Sequence, residues 1–379
     1  MTNPILVIVS LRGGADALNL LVPHGDPDYR SLRPSLAIAS PKKNAPGSGQ
    51  PAVDLDGFFG FHPALVPLLP LWERGDLAAV SAVGWPGVSH SHFEAWEEIE
   101  CGAVGDQRPS SGWLARALAA RPAGKSSPLR AVAFADTAPR LLSGALGAAV
   151  VRGLEELRLA AAPSRRADLG IALRALYGAS RFPVGAAGLE VLDAVAALER
   201  AAKPRRSAGS EPPPGLSRAL SDVASLVRAV VGLEAASVEI GGWDFHFAEG
   251  GSSGAMANRL GELARSIVEF RRDVGEHWSR IRLVAISEFG RRAAENGSGG
   301  TDHGQAGAFL VAGGSVRGGR VFGTWPGLAP DRLAAPGDLA ITTDFRSVLS
   351  EALPEDTSRI DHRRIFPGFE PPGRLGLFA

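Results

Sequence analysis

The chain has 379 residues, 45% of them hydrophobic, with 40 basic residues set against 40 acidic ones. That length supplies a large core, and the balanced charge excludes a global field that would draw nucleic acid, a polyanion or an acidic membrane surface. The one cysteine, Cys101, excludes an intrachain disulfide and a cysteine-based zinc knuckle, and no run of about eighteen apolar residues marks a membrane span.

In chain order, Pro4 to Leu11 (PILVIVSL) runs straight into Gly13-Gly14. It has neither the basic start nor the cleavage site of a signal peptide, so it predicts a core strand and, for the chain as given, a cytoplasmic protein. Apolar runs bounded by Gly, Pro or Asp predict further strands at Leu77–Val83, Ala131–Ala135, Ser237–Ile240, Ile281–Ser287 and Ala308–Ala312. Most are apolar throughout, the pattern of a sheet covered on both faces. Helices are predicted over His62–Trp72, Ser91–Glu100, Leu189–Ala202, Leu216–Ala235, Ala255–Trp278 and Asp344–Leu353. The alternation of strand and helix predicts one large α/β domain over 1–379, with a mostly parallel sheet and right-handed crossovers. Residues 140–215, rich in Ala, Leu and Arg, break this rhythm and read as a helical insertion or cap. Within them Lys203–Gly215 reads as an exposed, mobile loop. Val316–Trp325 reads as a short hairpin.

Ligands of open α/β sheets bind beyond the carboxyl ends of the strands. The residues that follow the predicted strands are Arg12 to Asn19, Ser89 to Glu94, Gly241 to His246, Ser287 to Arg291 and Asn296 to Gly304. Four of the eight histidines fall in these segments, each near a carboxylate. Alone, Asp244-Phe245-His246 reads as a turn cap beside a satisfied polar residue. Grouped with Asp302-His303 and Asp16, it reads as a metal site, suited to zinc or, where oxygen ligands dominate, manganese. Ser91-x-x-Glu94 is the pattern of a capping box, and the same helix start could set a hydroxyl beside free backbone N–H groups for an anionic substrate. His90 and His92 flank it as ligands, acid–base groups or surface residues. Arg12 is either an exposed charge beside a tight turn or a clamp for a phosphate, sulfate or carboxylate. Arg291 allows the same two readings. Trp243 and Phe289 read as packing residues. No phosphate-cradling glycine motif follows the first strand, which excludes the two common nucleotide folds. Gly250 to Gly254 has the letters of a nucleophile elbow without the strand that an elbow needs.

These segments are similar to a known family. LRGGADALN (11–19), SHSHFEA (89–95), GGWDFH (241–246), SEFGR (287–291) and GTDHG (300–304), in this order, with FPGF (366–369) near the end, resemble the DUF1501 family of bacterial proteins. The resemblance runs from about Pro4 to the C-terminus. It implies the fold of the alkaline phosphatase and sulfatase superfamily, an α/β three-layer sandwich with a mostly parallel central sheet. It also implies a metal-dependent hydrolase or transferase acting on a small anionic ester of phosphate or sulfate, often with two metals. Matched by order, Asp16 would be the ligand after the first strand and Ser91 the nucleophile, with His92 and Arg12 beside it. Asp244, His246 and His303, with Asp302, would form one metal site. Glu288-Phe289 stands where the superfamily has Asp-His, so a second site would be remade from Asp16, Glu288 and His90 or His92. Zinc is the expected metal, with manganese, magnesium or calcium as alternatives. The altered pair supports a second possibility, a non-catalytic binding or assembly protein on a degenerate hydrolase fold with an unknown protein partner. Relatives commonly carry a twin-arginine export signal, so the expected location becomes periplasmic if such a signal is missing from this chain. The six residues Asp16, Ser91, Asp244, His246, Glu288 and His303 are expected in one pocket.

Overall fold

The computed structural model describes residues 3–41, 49–105, 108–121, 127–201, 215–354 and 362–379. The loop expected at Lys203–Gly215 lies outside them except for its last residue. Among the described residues nine strands form one sheet: β1 (Ile5–Leu11), β2 (Leu77–Gly84), β3 (Ala131–Phe134), β4 (Ala148–Val151), β5 (Ala235–Ile240), β6 (Ile281–Ile286), β7 (Gly307–Ala312), β8 (Val321–Phe322) and β9 (Thr343–Asp344). Their order is β8-β2-β7-β6-β1-β5-β3-β4, with β9 also paired to β2. Every ladder is parallel except the two made by β7, which runs against β2 and β6.

The layers follow from the side-chain alternation of a strand. All seven residues of β1 are buried. Ile5, Val7, Val9 and Leu11 point into one core, while Leu6 and Ile8 point into the other. The main helices are α1 (His92–Cys101), α2 (Trp113–Ala120), α3 (Arg166–Gly178), α4 (Pro183–Ala201), α5 (Leu216–Ala229), α6 (Ala255–Val274) and α7 (Phe345–Ala352). α5 and α6 cover the first face, and α1, α2 and α7 cover the second. The result is a three-layer α/β sandwich about a mostly parallel sheet. α6 shows why these segments are helical. It buries Met256, Leu260, Leu263, Ile267 and Phe270, three or four residues apart, on one stripe. Each such side chain taken from water contributes about 1.5–3 kcal/mol. Among the described residues no helix is long and apolar enough to cross a membrane.

Three local expectations change. Val316–Trp325 is no hairpin: Val321–Phe322 lies parallel to β2 as an edge strand. The stretch 140–215 contains β4, which pairs in parallel with β3 at the far edge of the sheet. The expected helix Leu216–Ala235 stops at Ala229, where Val230 takes a left-handed conformation, and Ala235 already begins β5.

Candidate metal centre

The sheet brings four chain segments to its carboxyl edge, and the reversed β7 brings a fifth. Because β7 runs against its neighbours, the residues that enter it lie where the other strands end. Two backbone bonds, Gly304 N to Gly290 O at 2.9 Å and Arg292 N to Asp302 O at 3.0 Å, clip the entry to the loop after β6. This sets His303 opposite Arg291. The loop after β5 is anchored by the buried Trp243, and Asp244 and His246 follow it. His92 is the first residue of α1.

Three imidazoles and one carboxylate meet here. His92, Asp244 and His303 each offer a ligand atom, and these atoms lie within 4.8 Å of one another. His246 adds its Nε2 at 3.1 Å from Asp244 Oδ1 and 2.9 Å from His303 Nε2. His303 Nε2 is 3.2 Å from Asp244 Oδ1, and His92 Nε2 is 3.5 Å from Asp244 Oδ2.

The other nitrogen of each ring has an acceptor behind it. His92 Nδ1 donates to Glu288 Oε1 at 2.6 Å, His303 Nδ1 to the His90 carbonyl at 2.8 Å, and His246 Nδ1 to Asp302 Oδ1 at 3.3 Å. Carboxylates and carbonyls only accept, so each Nδ1 carries a proton, and in the neutral ring the Nε2 then has a lone pair to offer the centre. His92 Nε2 is buried without a hydrogen-bond partner. Two imidazole lone pairs facing each other at 2.9 Å repel unless a cation or a proton stands between them. Three imidazole nitrogens and one carboxylate oxygen, each imidazole backed by an acceptor, form a donor set that fits zinc.

Electrostatics support the same assembly. Burial alone would raise the Asp244 carboxyl, but the hydrogen bond and charge of Arg291 bring it down to about 2. Arg291 is itself buried. It donates to Asp244 Oδ1 at 2.6 Å, Gly14 O at 2.6 Å and Thr301 O at 2.9 Å, and also to Gly13 O, so one guanidinium ties three loops together. It is neither an exposed charge nor an anion clamp. Glu288 would likewise be raised by burial, but the His92 hydrogen bond and the Gly13 and Gly14 amides hold it low. The Glu288 bond holds His92 above its ordinary value, while burial lowers His303. Asn296 holds Asp302 low by donating to it at 3.1 Å.

The remaining expected site residues fall elsewhere. Asp16 is on the same sheet edge but is not a member of the group. Both its oxygens are taken by the buried Arg33, and one also accepts from Leu18 N as the cap of a helical turn. Glu288 stands one step back, behind His92, and Asp302 stands behind His246. Arg12 is committed to Glu100 at 2.9 Å and to Glu239, with its guanidinium 4.6 Å above the Trp96 ring, so it is not held free for an anion. Ser91 occupies the cap position of α1 without capping it. In place of the expected box, the Ser89 hydroxyl donates to Glu94 at 2.5 Å and accepts from Ser91 N at 3.1 Å. Phe289 packs its buried ring against His92 and His303, both with ring centroids 4.8 Å away. Sequence reasoning set His92 beside the nucleophile and left it open as a ligand of a second site with Asp16 and Glu288, and it missed Asn296. The signal available for His92 was its position at a helix start among carboxylates.

The Protein of unknown function (DUF1501) family matches residues 79–364. No curated protein matches. Among solved structures the chain is similar to BT1596, a 2-O GAG sulfatase, at 10% identity and a TM-score of 0.30. That similarity covers 83% of this chain and 65% of the other. With the family matched across most of its length, including four of the five loops that build this centre, the chain belongs to the DUF1501 family.

Proposed function

We propose that this protein is a metal-dependent hydrolase of small anionic esters, of the phosphatase and sulfatase type on an alkaline-phosphatase-like fold. One divalent cation, zinc by its donor set, would be held by His92, Asp244, His246 and His303. The observation that carries this reading is three imidazole rings whose Nδ1 atoms face Glu288, Asp302 and the His90 carbonyl and whose Nε2 atoms all face Asp244. The bound cation would supply Lewis acidity toward an ester oxygen and lower the pKa of water toward neutrality. Asp244 supplies the negative charge, and Arg291 fixes its orientation. Ser91, whose hydroxyl does not cap α1, stands one residue from His92 and would attack or orient the ester. Phe289 excludes water from beneath two of the rings.

Two observations favour a second reading, a non-catalytic binding protein. Phe289, which cannot ligate a metal, stands where the superfamily resemblance implies a histidine, and Arg12 is neutralised by Glu100 and Glu239. The test combines metal analysis of the gently purified protein with turnover of aryl phosphate and aryl sulfate esters. Bound metal with turnover that Ser91→Ala abolishes while retaining metal is the expected result. If the wild type holds no metal and cleaves neither ester, the hydrolase reading fails and the binding reading takes its place.

A further inference from the structure

His303 is held from behind by a carbonyl rather than a carboxylate. Its Nδ1 donates to the His90 carbonyl at 2.8 Å, whereas His92 and His246 lean on Glu288 and Asp302. A backbone acceptor is only as well placed as the chain that carries it. The chain here runs between β2 and α1, and Pro86, Gly87 and His90 itself are exposed. This stretch needs an anchor if the His303 ring is to keep one orientation.

The His90 side chain supplies one. Its Nε2 lies 3.3 Å from Asp338 Oδ2, and while the His90 side chain is 37% exposed, that of Asp338 is 0% exposed. The exposed stretch is therefore tied to a group in the interior. Asp338 is itself fixed. Its N–H donates to Ala334 O at 2.8 Å, and its carbonyl accepts from Ala334 N at 2.9 Å. The preceding carbonyl, of Gly337, accepts from Ala293 N at 3.1 Å. That bond joins Asp338 to the loop of Arg291, the residue that orients Asp244. The groups facing the Asp338 carboxyl are His90, Arg292 and Gln305, with Arg292 Nε 4.0 Å from its other oxygen. No hydrogen bond of good geometry satisfies either oxygen. A buried carboxyl short of partners is costly, and that cost holds the His90 ring against it. We infer that Asp338 is a positioning residue of the proposed metal centre, acting through the His90 ring and carbonyl to fix the His303 imidazole. This rests on the proposed centre and adds to it a residue that contributes no ligand atom.

The test is a double-mutant cycle on zinc affinity, with a readout at the His303 ring. His90→Ala removes the ring and keeps the carbonyl, and Asp338→Asn removes the charge and keeps the volume. Each should weaken zinc binding about tenfold, the lower end of the loss when support behind a metal-bound imidazole is removed. Because the two residues act in series, the double variant should lose no more than either single one. In the zinc-loaded variants the His303 Nδ1 proton should exchange with solvent faster than in the wild type, as read by NMR. The His92 Nδ1 proton, held by Glu288, should keep its rate, whereas a general loosening of the fold would speed both. Zinc affinities within about twofold of the wild type in both single variants, or losses that multiply to about a hundredfold in the double, overturn the inference and leave the centre standing. Equal acceleration of the two ring protons overturns it as well. If Asp338→Asn does not fold, His90→Ala, at an exposed position, decides by its affinity and its proton exchange. If the wild type retains no zinc, the centre itself is wrong and the role of Asp338 falls with it.

Discussion

Glu288 accepts from the His92 ring at 2.6 Å and from the Gly13 amide at 2.8 Å, and it stays ionised although burial opposes its charge. Its task in the proposed centre is to hold the His92 tautomer, so Glu288→Gln should weaken zinc affinity by about 10- to 100-fold without replacing a ligand. Competition with a fluorescent chelator measures this, and a change under about twofold would remove Glu288 from the site. The same bond makes His92 keep its proton to higher pH than a free imidazole. Zinc must displace that proton, so affinity should fall as pH drops through neutrality. A second buried group gives a pH signature of opposite kind. Glu249 is fully buried against Asp16, and burial together with the Asp16 charge pushes its carboxyl well above the ordinary value of 4.5. Arg33 secures Asp16 in the ionised form against the cost of burial, so the proton stays on Glu249. Unfolded, Glu249 ionises near 4.5 while the folded group remains protonated. Its contribution to stability is therefore full below that pH and is lost as pH rises toward the folded value. Glu249→Gln has no proton to lose, so its melting temperature should decline less between pH 5 and pH 9 than the wild type's. Parallel declines would show that another group sets the alkaline limit. From sequence, Asp244, His246 and His303 were legible because carboxylate and imidazole stand together after apolar runs. The fate of Asp16 was not. Arg33 lies seventeen residues further on and nothing in its local sequence marks it as a buried partner.

Strand identity was legible wherever a whole run is buried, as in β1, β2 and β6. It was not legible at the edges. β4 is Ala-Ala-Val-Val, largely unburied, and set among alanine-rich helices, so composition masks it. β8 is two residues long and takes its conformation from β2. Strand direction was equally hidden. That β7 runs antiparallel is a property of the pairing, and it is this reversal that delivers Asp302 and His303 to the right edge. We propose that 140–215 is an insertion within one domain rather than a unit of its own. β4 belongs to the central sheet, and α4 packs against both α3 and α5. The turn after β1 shows how an element boundary can control chemistry. Gly13 has φ +125°, and a Cβ there would lie 2.6 Å from the Asp244 amide nitrogen. Backbone cannot give way as a side-chain tip can. Gly13→Ala should cost about 1–3 kcal/mol in stability. It should also weaken zinc binding, because the displaced atom belongs to Asp244 itself. Melting and zinc titration on the same preparation test both effects. A stable Gly13→Ala with wild-type zinc affinity would show that the two loops move independently.

The two cores lie beneath the two faces of the sheet, while the proposed metal centre sits at its edge, with Asp244, His246 and His92 partly open to solvent. Packing of the interior and occupancy of the centre are therefore separable. A small metal-dependent domain unfolds when chelated because the metal replaces a core. This chain has cores of its own, built from residues such as Phe270, Leu263, Phe345 and Leu349, and the second core meets the centre through Phe289. Zinc should then stabilise by mass action alone. At a free concentration 100 times Kd the gain is about 2.7 kcal/mol. For a chain of this length that corresponds to a rise in Tm of about 3 °C. Chelation should remove this increment and leave a single cooperative transition with an unchanged far-ultraviolet spectrum before melting. His92→Ala should melt at the chelated temperature and gain nothing from added zinc. If chelation instead abolishes the transition, the cation is part of the fold and the separation argued from the two cores is wrong. If zinc moves neither the wild type nor the variant, the inward-facing imidazoles hold a proton rather than a metal, and the hydrolase reading loses its centre.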